Sequence, residues 1–289
     1  MIFEHEIPSG SHLYFGESAK IKRYMEQCSA GLLEKNGYEE IITPYFSYHQ
    51  HESFGSQKPL VRLNDRDNHE VSLRADSTAD IVRITTKRLG RSSDAKRWFY
   101  IQPVFTFPTT EQYQIGAELI DGSFEEACQI SISLLGQHGL APILQIANIA
   151  IPKLLNERYG ISLDDIKSMN IEAMMQSGLP WMDKLVRIHT VDDLNDLSGF
   201  PDDITTQLSK IVAIVGRVDY PNIVVSPLYY AQMRYYDSLL FRMFEDNRLF
   251  VIGGIYRVDE VRASGFALYT DACIEKILDI KKMEKGENA

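Results

Sequence analysis

Four small groups of side chains carry most of the polar chemistry in this sequence. Gln114 and Glu118 flank Gly116 on an otherwise apolar run from Gln112 to Ile120. Strand alternation places those three on one face and Ile115, Ala117 and Leu119 on the other. By periodicity alone, the polar strip is the solvated face of an edge strand. Asp76, Ser77 and Thr78 precede a helical run to Leu89 and read as N-caps. Tyr235 and Tyr236 are adjacent, a commonplace pairing in strands. His49 and His51, beside Glu52, share a strand face, but they lack a convincing third ligand. No metal and no cofactor is expected. The sequence has no GxxxxGK[ST] motif and no glycine-rich phosphate cradle after a strand.

The elements that must position these groups are legible as a succession. Apolar Ile21, Met25, Leu32 and Leu33 predict a helix over Glu17 to Lys35, stopped by Asn36-Gly37. A strand through YEEIITP ends at Pro44, and a hairpin turns at Asn64 to Asn68. Two strands, Trp98 to Phe107 and Gln112 to Ile120, are joined by a Pro-Thr-Thr turn. An amphipathic helix from Ser123 to Leu135 and the strand APILQIANIAI follow. Residues from about 150 to 216 are predicted as short helices punctuated by Gly160, Gly178 and Gly199, with Asp192-Asp193 and Asp202-Asp203 as helix starts. The last third returns to sheet, and the polar KKMEKGENA is expected to fray.

Composition bounds the function. A chain of 289 residues can bury a substantial core, and 44% hydrophobic against 24% charged residues is a soluble globular balance. The 40 acidic against 30 basic side chains give a net charge of −10, which argues against a broad phosphate-tracking surface and hence against nucleic acid. Cys28, Cys128 and Cys273 are far apart and odd in number, as expected of free thiols in a reducing cytoplasm. MIFEHEIP lacks a basic start, so no signal peptide is expected, and no apolar run is long enough for a membrane span.

Taken in order, several segments resemble the class II aminoacyl-tRNA synthetases in their histidyl form. GYEEIITP resembles motif 1, at the family's homodimer interface. QPVFTF followed by QIGAEL resembles motif 2, through Pro103, Phe105, Gln114 and Glu118. LRADSTADIVRI resembles the family's LRPEGT segment. YYAQMRYYD and GGIYR resemble the histidine-specific tyrosine segment and the following glycine turn, with Gly253, Gly254 and Tyr256. Gly265 and Phe266 resemble the start of motif 3. The match covers roughly residues 7 to 280, with residues 150–216 as a helical insertion and 281–289 as a polar tail.

The resemblance implies an α+β fold, an antiparallel sheet flanked by helices. It also implies a histidine pocket in which Asp76, Thr78 and Gln114 receive the ammonium group. Glu118 and a tyrosine hydroxyl, from Tyr235 or Tyr236, receive the imidazole. Departures from the pattern matter equally. The motif 2 arginine that would clamp the α-phosphate of ATP is Thr106, the glutamate two positions on is Pro108, and the motif 3 arginine falls at Ala272. A further pocket arginine falls near Ala231, with Arg234 a nearby candidate to replace it. An amino-acid half without a nucleotide half is most similar to the synthetase-like regulatory subunits of ATP phosphoribosyltransferase, which lack the anticodon-binding domain. Those pair with a short catalytic subunit in histidine biosynthesis. The expectation is therefore a homodimer within a hetero-oligomer, with L-histidine as effector and no catalysis of its own. A degenerate amino-acid-activating ligase and a standalone histidine-binding module are the alternatives.

Overall fold

The computed structural model describes residues 6–48, 60–231, 235–284 and 286. His49, His51, Glu52 and Arg234 lie outside them. Helix α1, Gly16–Lys35, buries Ile21, Met25 and Leu33 and ends where Gly37 turns the chain at φ 80°. That left-handed conformation costs glycine nothing.

The principal sheet has eight strands. In chain order these are β1 (Glu39–Glu40), β5 (Arg97–Thr106), β6 (Thr110–Ile120), β7 (Ile143–Asn148), β8 (Ile223–Val225), β9 (Tyr236–Glu245), β10 (Arg248–Val258) and β11 (Val261–Tyr269). Across the sheet they run β1-β5-β6-β11-β10-β9-β7-β8. The six central strands are antiparallel, as expected, but both edge pairs, β1–β5 and β7–β8, are parallel. Parallel neighbours need a crossover, and for β7–β8 it is the helical insertion. A smaller sheet pairs β2 (Phe46–Ser47), β4 (Glu70–Leu73) and β3 (Arg62–Asn64).

One face of the large sheet is apolar. Phe99, Ile115, Ala117, Leu119, Phe266 and Leu268 pack there in a continuous core with residues of α1, of α3 (Phe124–Gly136) and of the last helix, Thr270–Glu284. The helices between Ala150 and Val215 add Leu155, Met174, Leu185 and Leu208 to that same core, so the insertion shares it. The opposite face, bearing Gln114 and Glu118, is covered near Asp76 by α2, Thr78–Arg83, which continues as a π-helix through Leu89.

Three sequence expectations change. The strand carrying Gln114 and Glu118 is interior, between β5 and β11, and Glu118 is fully buried, so its polar face is not a solvated edge. Periodicity reports two faces but not what covers the second. The motif 1 strand is only Glu39–Glu40, well short of Pro44. The last helix runs on to Glu284, so the first four residues of KKMEKGENA are helical, with Lys281 paired to Glu17 of α1.

Candidate functional site

The register of the central strands lays out the site. Residues directly opposite in an antiparallel ladder point to the same face. Glu118 is opposite Gly265, which is opposite Gly254; Tyr256 is opposite Tyr236. The face of β6 that bears Gln114, Gly116 and Glu118 is therefore continued by glycines and tyrosines from three other strands. A cavity of about 300 Å³ opens over it, the size of a small-ligand site. Its walls include Thr78, Thr106, Gln114 and four tyrosines, 235, 236, 256 and 269. No lysine or arginine is among the described residues that line it.

Of the six residues singled out by sequence, Thr78, Gln114, Tyr235 and Tyr236 line this cavity, and Asp76 and Glu118 stand behind its wall. Asp76 leads into α2, where its Oδ2 accepts the Ala79 backbone N–H at 3.3 Å and its Oδ1 accepts the Tyr235 hydroxyl at 3.3 Å. Asp76 thus ties the first turn of the helix to a tyrosine of the cavity wall. Tyr235 packs on Tyr236 and Tyr256 with ring centroids 4.9 and 5.5 Å apart.

Glu118 accepts a short hydrogen bond from the Tyr256 hydroxyl at Oε2. Its other oxygen, Oε1, has no hydrogen-bond partner among the described residues. Burial pushes this carboxyl up to about 8, against the pull of the Tyr256 and Thr78 hydroxyls, because a low-dielectric site penalises the charged form. Burial likewise raises the phenols of Tyr235, Tyr236 and Tyr256, which stay neutral donors. The site is thus a ring of neutral hydroxyls backed by two acidic side chains. It suits a ligand with a cationic group and further N–H donors.

The segment ahead of Asp76 is fixed by Arg74, which is fully buried. Its guanidinium donates to the carbonyls of Thr43 at 2.9 Å, Pro44 at 3.1 Å and Pro103 at 2.7 Å. Gln102 reinforces the link, donating to Ser77 Oγ at 3.0 Å and Thr43 Oγ1 at 3.1 Å. Sequence reasoning missed Tyr256 and Tyr269 as wall residues. The signal was there: Tyr256 is two residues past Gly254 and Tyr269 is four past Gly265, at strand spacing.

Among the described residues no helix is long and apolar enough to cross a membrane. Residues 13–170 match the Histidyl-tRNA synthetase family. An ATP phosphoribosyltransferase regulatory subunit from Wolinella succinogenes is 44% identical over 280 residues, spanning 96% of this chain and 98% of that one. One of the same description from Helicobacter hepaticus is 40% identical, spanning 96% and 100%. A crystal structure described as an ATP phosphoribosyltransferase regulatory subunit/histidyl-tRNA synthetase from Bacillus halodurans superposes with a TM-score of 0.79 at 21% identity, over 96% of this chain and 84% of that one; it speaks for the fold. With its class II synthetase-like sheet and tyrosine-walled cavity, the chain belongs to the family of histidyl-tRNA synthetase-like ATP phosphoribosyltransferase regulatory subunits.

Proposed function

We propose that this chain binds and activates a short ATP phosphoribosyltransferase catalytic subunit and transmits inhibition by L-histidine to it, without catalysis of its own. The relatives at 44% and 40% identity carry the regulatory-subunit description, which supports the partner. The observation that carries the effector is the cavity. In this reading Asp76, Thr78 and Gln114 take the ammonium group, and Glu118, whose buried Oε1 has no hydrogen-bond partner among the described residues, takes the imidazole. A buried polar group without a partner costs free energy that a ligand's hydrogen bond would recover. In this reading histidine reaches Glu118 past the Gly265 backbone, where no side chain intervenes.

Loss of aminoacylation is part of the same proposal. Thr106 lines the cavity where the resemblance implies a phosphate-clamping arginine, and a hydroxyl cannot replace a planar, two-pronged cation. Ala272 packs against the core where the resemblance implies the arginine over adenine. The proposed assembly is a homodimer of this chain within a hetero-oligomer. For histidine to inhibit, it must bind the inactive arrangement more tightly than the active one. Co-purification with a short catalytic subunit, followed by phosphoribosyl transfer with and without histidine, tests the reading. Failure to associate, or activity indifferent to this chain, would overturn it.

A further inference from the structure

The sheet face that floors the cavity continues beyond it. One row of directly opposed residues crosses six strands: Tyr100, Gly116, Ala267, Ile252, Arg242 and Gln145. Ala267 and Ile252 line the cavity, and Arg242 is the next residue in the row, on the same face.

Arg242 is a half-buried cation with little to neutralise it. Its Nη1 donates to Gln145 Oε1 at 3.2 Å, but its Nε is buried and has no hydrogen-bond partner among the described residues. No described carboxylate lies within ion-pair distance of it. The guanidinium is held by stacking, with Cζ 4.8 Å from the centre of the Tyr229 ring and 5.3 Å from that of Phe244. Stacking fixes the plane of the fork without using its donors. Tyr269, in the cavity wall, connects this cation to the acidic end. Burial and then Asp76 push its phenol up, while Arg242 pulls it back, so both charges act on one hydroxyl.

We propose that Arg242, next to the cavity wall at Ile252, is an oxyanion receptor that extends the site and takes the carboxylate of an α-amino acid whose ammonium group faces Asp76. The inference rests on the amino-acid reading given above and adds the missing half of a zwitterion's counter-charges. A guanidinium fork matches a carboxylate with two parallel hydrogen bonds. The purely structural alternative is a cation kept only for its stacking on Tyr229 and Phe244, and it predicts no dependence on the ligand's own charges.

The test uses the full chain, wild type and Arg242→Gln, in calorimetric titrations with L-histidine, with histidinol, which lacks the carboxylate, and with inorganic phosphate. Wild type should prefer histidine over histidinol by about ten-fold or more, and Arg242→Gln should erase that preference by weakening histidine alone. Equal affinities in the two proteins, or equal losses for both ligands, would overturn the assignment while leaving the effector reading intact. If wild type takes neither histidine nor histidinol, the effector reading falls and phosphate decides. Phosphate binding lost in Arg242→Gln retains an oxyanion subsite, and equal or absent binding in both proteins removes it. Should Arg242→Gln not fold, Arg242→Lys keeps the charge but not the fork, and an intermediate loss of the histidine preference is expected. An undiminished preference there counts against the fork.

Discussion

Gly265 lies directly opposite Glu118, and a Cβ on Gly265 would stand 2.1 Å from Glu118 Oε2 and 2.5 Å from the Ala117 carbonyl oxygen. Gly116 bears the same relation to Tyr100, whose Cζ would be 2.3 Å from an added Cβ. The two glycines are needed for close approach. They let a carboxyl group and a phenol lie flat across the sheet beside the cavity.

Gly265→Ala should therefore lower stability by about 1–3 kcal/mol, the usual range for overpacking, because the Ala117 backbone cannot yield as a flexible side chain would. It should also part Glu118 from Tyr256. Urea unfolding checks the first claim, and a midpoint equal to wild type would contradict it.

Glu118 makes the fold sensitive to alkali. Its folded value, about 8, is above the ordinary 4.5, so between those values the folded chain holds a proton that the unfolded chain has released. Stability contributed by the neutral carboxyl is present below pH 4.5 and is lost as pH rises through 8. The total is on the order of a few kcal/mol. Glu118→Gln, which cannot ionise, should flatten the fall in stability between pH 5 and 8 in denaturant titrations. Parallel slopes for the two proteins would place the ionisation elsewhere.

Much of this site was legible in the sequence. The pairing of Trp98–Phe107 with Gln112–Ile120 and the shared face of Gln114 and Glu118 follow from period-two alternation and a proline turn. What stayed illegible depends on contacts between distant segments. The Tyr256 hydroxyl reaches Glu118 across 138 positions of chain, through a register set by two other strand pairs. Nothing local to QIGAEL says whether its polar face meets water or tyrosines. Arg242 reads as one more charge on a strand until the ladder places it beside Ile252.

Arg74 fastens the Asp76 segment to β5. Arg74→Met keeps apolar bulk but leaves the buried carbonyl of Thr43 and the partly buried ones of Pro44 and Pro103 without these donors. With about 1–3 kcal/mol for each acceptor left unsatisfied, a loss exceeding 2 kcal/mol is expected by chemical denaturation. A loss under about 0.5 kcal/mol, as for an ordinary surface substitution, would mean water replaces the guanidinium.

Thr106→Arg should not create histidine-dependent exchange of pyrophosphate into ATP. The substitution returns a cation to the cavity wall, but Ala272 remains packed in the core and supplies no adenine contact. Exchange above background in the single variant would show that the nucleotide half of the site is closer to intact than proposed.

A variant at Asp76 would separate binding from signalling. Its Oδ2 caps α2 and its Oδ1 meets Tyr235, both bonds that the Asn carbonyl and amide can largely reproduce. Asp76→Asn should therefore fold normally while losing the charge proposed to face the ammonium group. A charged hydrogen bond is worth about 1.5–3 kcal/mol, so histidine affinity should fall by about one to two orders of magnitude. Histamine, which keeps the ammonium group, should weaken equally, and imidazolelactate, which lacks it, should be unaffected. In the complex with a short catalytic subunit, phosphoribosyl transfer without histidine should persist, with the inhibition curve displaced to higher histidine in proportion to the lost affinity. Unchanged calorimetric binding to the variant would show that the ammonium group lies elsewhere. Weakened binding with an unmoved inhibition curve would mean that the cavity holds histidine while inhibition is exerted from another site, most directly one shared with the catalytic subunit.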